Sequence, residues 1–407
     1  MKRLLPLICL LVWMVHPCRT YSNAETLMSL YRTAILHFPS IESFKLKEQS
    51  LISENKALGW QELLNVDVGM NYSHLSTVDM GKYSNGELGI FNTFDIFNKK
   101  GTDRAINRYE MQKNKSLTDM EKKNIFNMIT EAYFNVIKNS RLLQIHMESL
   151  DWIDRNILLV NTGVERGVFP ATEINRWTIE KLNRQNSIRA DSMEIDRSRE
   201  TLRILTGLDS VSPEEITREE YEDVSEEDIL DHSPELAVFE MEKKQVEMEI
   251  QKEFRDQLPD LQVGNSLVMD NEPGGTGDQY VVSADLNFKL FDGGKRYRIL
   301  SNRARIRSIE NEQKAARTLL SDFYRGKLRE MHTRKEMLKN LETARELSAD
   351  NLNKLVIGYQ KRFIDFTMLF NAFRDDITLR EDHVNTLIEF NQSYQFLYHL
   401  SRGDIYF

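Results

Sequence analysis

Cysteine is nearly missing from this chain of 407 residues, and both copies, Cys9 and Cys18, lie in the first 24 positions. The rest of the chain therefore has no thiol chemistry and no disulfide to stabilise it. Long apolar runs are also missing. No stretch of 18 apolar residues occurs, which excludes a bundle of membrane-spanning helices. Excess positive charge is absent too: the formal net charge is −9, which speaks against nucleic acid as a partner. The eight histidines are scattered, and neither H-E-x-x-H nor C-x-x-C occurs. "DGGKR" (292–296) lacks the full spacing of a phosphate-binding loop and reads as a strand-to-helix turn. Asp375 and Asp376 are adjacent, so they point to different sides of a helix and do not form an acid–base pair. These absences leave no support for an enzyme, a cofactor or a metal site.

Proline and glycine are missing from one long segment, Asp103 to Thr162. As one helix, its roughly 60 residues would span about 90 Å, more than an ordinary globular domain needs. Within it Ile129, Val136, Leu143, Leu150 and Ile157 recur every seven residues. So do Ile125, Ala132, Asn139, His146, Ile153 and Val160. Two such series form the seam of a coiled coil, with Asn139 and His146 as polar, register-setting members.

The N-terminus reads as a signal peptide over 1–24. Lys2 and Arg3 precede a short apolar core from Leu4 to Val15, and Ser22-Asn23-Ala24 offers a cleavage site. A cut at Cys18, leaving a lipid-bearing cysteine, is the alternative.

The remainder repeats itself at an offset of 195. "HFPSI" (37–41) matches "HSPEL" (232–236), Asn65–Gly69 matches Asp260–Gly264, Gly163 matches Gly358 and Leu205 matches Leu400. Landmarks in one order in both halves indicate a duplicated domain. Repeat 1 is expected over 25–207, with strands 65–75 and 86–97 and a helical hairpin over 103–206. Repeat 2 is expected over 233–407, with strands 260–269 and 280–291 and a hairpin over 294–402. Between them, 208–232 holds eleven acidic residues and one basic one, as a solvated connector would.

The strands alternate. Val66, Val68, Met70 and Tyr72 interleave with Asp67, Gly69, Asn71 and Ser73. Tyr280, Val282, Ala284 and Leu286 interleave with Ser283, Asp285 and Asn287. Period two gives one apolar and one polar face. A surface hairpin of a soluble sandwich fits this pattern, and so does a membrane barrel with lipid outside and a wet lumen inside. In lipid, four strands leave open edges whose backbone groups are unsatisfied, so a barrel would need several chains.

Taken together, the paired H-x-P starts, "LNFKLFDGGKR" (286–296), the turn "GYQKRFIDFTMLFNA" (358–372) and the closing "LRILTGL" and "FLYHLSRG" resemble the TolC family of outer-membrane efflux channels. The resemblance covers nearly all of the chain after the signal segment. It implies a mixed α/β membrane protein, mostly α. Three chains would build a twelve-stranded β-barrel in the outer membrane, continuous with a twelve-helix tunnel across the periplasm. It implies a passive duct for small molecules or proteins, joined through a periplasmic adaptor to an inner-membrane pump of RND or ABC type. It places the periplasmic gate and adaptor tip at Arg166, Gly167 and Glu173 in repeat 1 and Lys361, Arg362 and Asp365 in repeat 2, with Arg362 and Asp365 as an ion pair. Met368 and Asn371 stand where the family often carries acidic residues. The competing functional class is a periplasmic coiled-coil adaptor, which would need flanking lipoyl-like domains around a single hairpin.

Overall fold

The computed structural model describes residues 25–63, 65–77, 81–214, 221–270, 277–287 and 292–406. The expected signal segment with Cys9 and Cys18, residues 78–80 and 271–276 between the expected strands, the expected end of the fourth strand with Phe291, the acidic stretch 215–220 and Phe407 lie outside the described residues.

The same order of elements is traversed twice. The first pass is α1 (Leu27–His37), α2 (Pro39–Leu63), β1 (Val66–Thr77), β2 (Gly81–Phe94), α3 (Lys99–Glu165) and α4 (Ala171–Thr206). The second is α5 (Glu226–Asp231), α6 (Pro234–Arg255), β3 (Asp260–Asp270), β4 (Gln279–Asn287), α7 (Lys295–Gln360) and α8 (Phe366–Arg402), closed by a 3-10 turn at Asp404–Tyr406. The H-x-P signatures mark helix boundaries. Pro39 opens α2 and Pro234 opens α6. Proline suits the first helical turn because its missing N–H would have no partner there and its φ is already helical. β1 and β3 lie within two residues of the expected bounds, β2 begins five residues and ends three residues earlier, β4 begins one residue earlier, and its expected end at 291 lies outside the described residues. The turn after β4 is held by Asp292, which accepts from Gly294 N–H at 3.0 Å just before α7 starts.

With 67 residues, α3 is about 100 Å long. It pairs antiparallel with α4, as α7 does with α8, and it also packs against α2, α6 and α8. The core therefore runs along α3. Ile125, Ile129, Ala132, Val136, Ile153 and Val160 of the heptad series are buried. Near one end of the hairpins, Tyr31 Oη donates to the Ile405 carbonyl and its ring meets Phe126 edge-on at 5.2 Å. This contact ties the first helix of the chain to its last turn. Seam residue Asn139 is buried but donates to Asn135 O of its own helix at 2.8 Å, so it satisfies itself without crossing to a neighbour.

The four strands form one antiparallel sheet in the order β1-β2-β3-β4. Pairings Val68↔Ile90, Leu88↔Leu267 and Leu267↔Tyr280 align the apolar positions of all four strands on one face. Asp67↔Phe91, Phe91↔Gly264 and Gly264↔Ser283 align the other, which is mostly polar, with Phe91, Val268 and Val281 among its apolar members. The Phe91 ring lies flat over glycines of three strands. A Cβ on Gly264 would come within 2.3 Å of it and one on Gly89 within 2.7 Å. On the apolar face Val68, Met70, Tyr72, Ile90, Tyr280, Val282 and Leu286 are all exposed. Within the chain β1 and β4 are open edges. No helix among the described residues is long and apolar enough to cross a membrane.

Candidate functional site

The expected site lies at the end of the helical hairpins far from the sheet, where two turns are built on one plan. In the first, α3 ends at Glu165 and Gly167 adopts φ +68°. Val168 N–H then reaches back to the Gly163 carbonyl at 2.7 Å. In the second, α7 ends at Gln360, Arg362 adopts φ +64°, and Phe363 N–H reaches the Gly358 carbonyl at 2.8 Å. Both are helix ends closed by a left-handed residue and a long back-bond. Glycine takes that conformation without strain. Arginine pays roughly 1 kcal/mol for its Cβ there. Each turn then folds an apolar side chain onto the glycine six residues back. A Cβ on Gly163 would stand 2.0 Å from the Phe169 ring, and one on Gly358 would stand 2.5 Å from Ile364.

The turns are bridged by Tyr359 and Phe169, which were not among the expected site residues, and by Glu173, which was. Tyr359, the penultimate residue of α7, stacks on Phe169 of the other hairpin with ring centroids 5.2 Å apart. Its hydroxyl donates to Glu173 Oε2 at 2.5 Å, and both partners are buried. Burial, and then the bond and charge of Glu173, push the Tyr359 phenol well above its usual range, so it stays a donor at any physiological pH. Behind this bridge Trp177 is fully buried against Trp152, Phe366, Phe370 and Phe373. The spacing Gly163-x5-Phe169, repeated as Gly358-x5-Ile364, was the available signal for the docked turns. Nothing in sequence spacing could place Tyr359 on Glu173, because the contact crosses between hairpins 186 residues apart.

Of the six expected residues, Glu173 alone joins such a bridge. Arg166, Gly167, Lys361 and Arg362 are exposed at the turn apices. Among the described residues none of the three basic ones forms an ion pair within the chain. The expected pairing of Arg362 with Asp365 does not form. Asp365 is instead the N-cap of α8, accepting from Met368 N–H at 3.0 Å. A short carboxylate directly before a helix is better used on the orphan amides of its first turn. Phe363, next to Arg362, is 81% exposed. Met368 is exposed on the first turn of α8.

Among the described residues no group of three His, Cys, Asp or Glu side chains could hold a metal ion.

No protein-family model and no curated protein sequence matches the chain. Solved structures do match. The outer membrane protein VceC of Vibrio cholerae superposes with a TM-score of 0.74 at 12% identity, over 92% of this chain and 96% of that one. The CmeC outer membrane channel of Campylobacter jejuni gives 0.74 at 11% identity, over 93% and 85%. The open state of the MtrE outer membrane channel of Neisseria gonorrhoeae gives 0.73 at 13% identity, over 92% and 88%. Identities this low carry the fold, and they carry it over 92–93% of the chain. The chain has the fold of the outer-membrane channels, mostly helical with one four-stranded sheet, as its resemblance to the TolC family implied for a single chain.

Proposed function

We propose that the chain is one protomer of a passive, trimeric exit duct in the outer membrane of a Gram-negative-type bacterium. The observation that carries this reading is the sheet. It has an apolar face covered by nothing among the described residues, a mostly polar opposite face, and two open edges. In water the apolar face would drive aggregation. In lipid it is a suitable surface, but each unpaired edge group then costs several kcal/mol. Closing β4 of one copy onto β1 of the next removes the edges. Three copies give twelve strands, and their four long helices each give a twelve-helix tunnel. The neighbouring channels share this architecture of short sheet and long hairpins.

The duct performs no reaction. Cargo, small molecules or proteins, would pass from an inner-membrane pump of RND or ABC type through a periplasmic adaptor into the tunnel. The two turns form the periplasmic end. There Glu173 and Tyr359 tie the hairpins together, and Arg166, Gly167, Lys361 and Arg362 face outward to meet the adaptor. Asp365 shapes the second turn by capping α8. The competing adaptor reading has no support from the fold, which holds two hairpins joined to one sheet.

The test is the mass of the detergent-solubilised protein together with its conductance in planar bilayers. The reading expects three chains per particle and discrete ion-conducting steps. A stable monomer with intact strands, silent in bilayers, overturns it.

A further inference from the structure

A patch of buried charge lies about 25 Å up the helices from the turns, where α3, α4 and α8 meet. His146 of α3 stands at its centre with its side chain only 8% exposed. Its Nδ1 is 2.6 Å from Asp191 Oδ2 on α4, and its Nε2 is 2.9 Å from Glu381 Oε1 on α8. Arg184 of α4 donates to the same Glu381 oxygen at 2.7 Å and to Glu180 Oε1, one turn away, at 3.0 Å. On the flank of the patch Arg380 of α8 is paired with Glu148 of α3. From α7, Arg345 donates to His383 on α8, a separate histidine whose pKa is lowered by burial and by Arg345.

The geometry fixes the protonation state. Ionised carboxylates only accept hydrogen bonds, and a neutral imidazole has one N–H to give. Both nitrogens of His146 face carboxylate oxygens, so only the imidazolium satisfies both. A neutral ring would set a lone pair against one carboxylate in a nearly dry site. Burial opposes the charged ring, but the hydrogen bonds to Glu381 and Asp191 and their charges outweigh it, and the pKa of His146 is raised. Burial likewise opposes ionised Glu381, yet bonds from His146 and Arg184 hold its carboxyl below the usual range. Glu381 is the one carboxylate of the second hairpin in this patch, and both cations that hold it belong to the first.

We propose that His146 is a proton-operated clasp, whose imidazolium ties α8 to the α3–α4 hairpin through Glu381 and Asp191 and whose deprotonation loosens the second hairpin, leaving Arg184 as the remaining tie to Glu381. The clasp stands on its own geometry, and its effect on conduction rests on the proposed gate at the turns. The sign follows from the raised pKa. The stabilisation is complete below the ordinary histidine value and is lost as pH rises through the raised one. A rise in pH therefore loosens the hairpins, and the open-to-closed ratio changes by up to about tenfold for each unit by which clasping raises the pKa.

The experiment compares the parent with His146→Gln and Glu381→Gln in two readouts. In thermal unfolding, the midpoint of the parent exceeds that of each variant at low pH, and the difference narrows as pH rises through the raised histidine value, vanishing for His146→Gln and leaving for Glu381→Gln a pH-independent remainder from the lost pairing with Arg184. In planar bilayers, the mean conductance of the parent rises over the same interval, while both variants give a flat, high conductance. Tyr359→Phe, which cuts the bridge at the turns, serves as the independent reporter of the gate. If the midpoint difference is the same at low and high pH, the histidine is only a packing residue and the clasp is refuted. If Tyr359→Phe raises conductance but the parent is flat across pH, the link between clasp and gate is refuted. If the midpoint difference follows pH while no variant, Tyr359→Phe included, changes conductance, the gate reading fails and the clasp survives as a structural tie alone.

Discussion

Arginine placed on the two faces of β4 should have opposite consequences if the sheet belongs to a membrane barrel. β4 has nine residues, Gln279 to Asn287. At about 3.4 Å per residue and a tilt of about 40°, they cover a height of roughly 23 Å, close to the apolar band of an outer-membrane barrel. The centre of the strand is Ser283, and Val282 beside it points to the apolar face with 67% of its surface exposed. Leu286 shares that face but stands about 8 Å from the centre, towards the helices. Val282→Arg buries a cation near the bilayer midplane and should destabilise each protomer by about 2–4 kcal/mol, whereas Leu286→Arg, nearer the interface, should cost about 1 kcal/mol. Asp285→Arg turns its charge into the lumen and should assemble normally.

The assay is folding of the purified variants into phospholipid vesicles, followed by urea unfolding and by recovery of the assembled oligomer. The order Val282→Arg, Leu286→Arg, Asp285→Arg from most to least damaged is the diagnostic result. It depends on face and depth together, which a soluble sheet does not reproduce. In a soluble protein all three positions are exposed, and all three changes would be nearly neutral. Equal assembly of Val282→Arg and Asp285→Arg would refute the face assignment and with it the barrel.

Three further changes test the turns. Tyr359→Phe removes the donor to buried Glu173 and should cost about 1–3 kcal/mol locally while raising basal conductance, read by hydrogen exchange at the turns and in bilayers. Gly163→Ala drives a Cβ into the Phe169 ring and should destabilise the first turn by about 1–3 kcal/mol, with Phe169→Ala in the same chain recovering part of the loss in thermal unfolding. Arg362→Gly relieves a left-handed arginine and should slow exchange of the neighbouring amides, by about 1 kcal/mol of local stability. If it also lowers affinity for a co-purified adaptor, the strained residue is retained for its side chain.

Periodicity made much of this architecture legible. The two H-x-P signatures fall on helix starts because proline's covalent geometry acts within one turn. The first and fourth strands were legible because Val66, Val68, Met70 and Tyr72, and Tyr280, Val282, Ala284 and Leu286, alternate with polar residues whatever the tertiary context. The long helix was legible because nothing in 103–162 interrupts it. The site was less legible. Asp365 looked like a partner for Arg362, since opposite charges three residues apart are within reach. The helix beginning at Phe366 claims that carboxylate first. Tyr359 was invisible because its partner depends on how two hairpins lie side by side, which no local rule encodes. His146 was read as a register-setting seam residue, and its burial agrees with that position. Its partners Asp191 and Glu381 come from two other helices and could be identified only in three dimensions.

Helix α7 carries a pattern that the single chain uses only in part. Tyr324, Met331 and Leu338, seven residues apart, are buried, but Leu319, Phe323, Met337, Leu347 and Ile357 are exposed along the same helix. On α4 the exposed apolar residues Ile179, Leu182, Met193 and Ile204 form a similar unfilled stripe. α4 and α7 pack closely on α3 and α8, and they border one another nowhere along most of their length within the chain. Apolar side chains at helical spacing on two outer helices are costly in water unless something covers them. In the proposed trimer α4 of one copy faces α7 of the next, just as β4 of one copy meets β1 of the next. One rotation then covers both stripes and closes both sheet edges. A monomeric scaffold would have reason to keep polar residues at Leu319, Met193 and Ile204. The same argument bears on the clasp. The cations at its core, His146 and Arg184, pair within one protomer and not across the seam. In the proposed trimer the apolar stripes would then serve assembly, and the charge of His146 would serve the motion of one hairpin against the other.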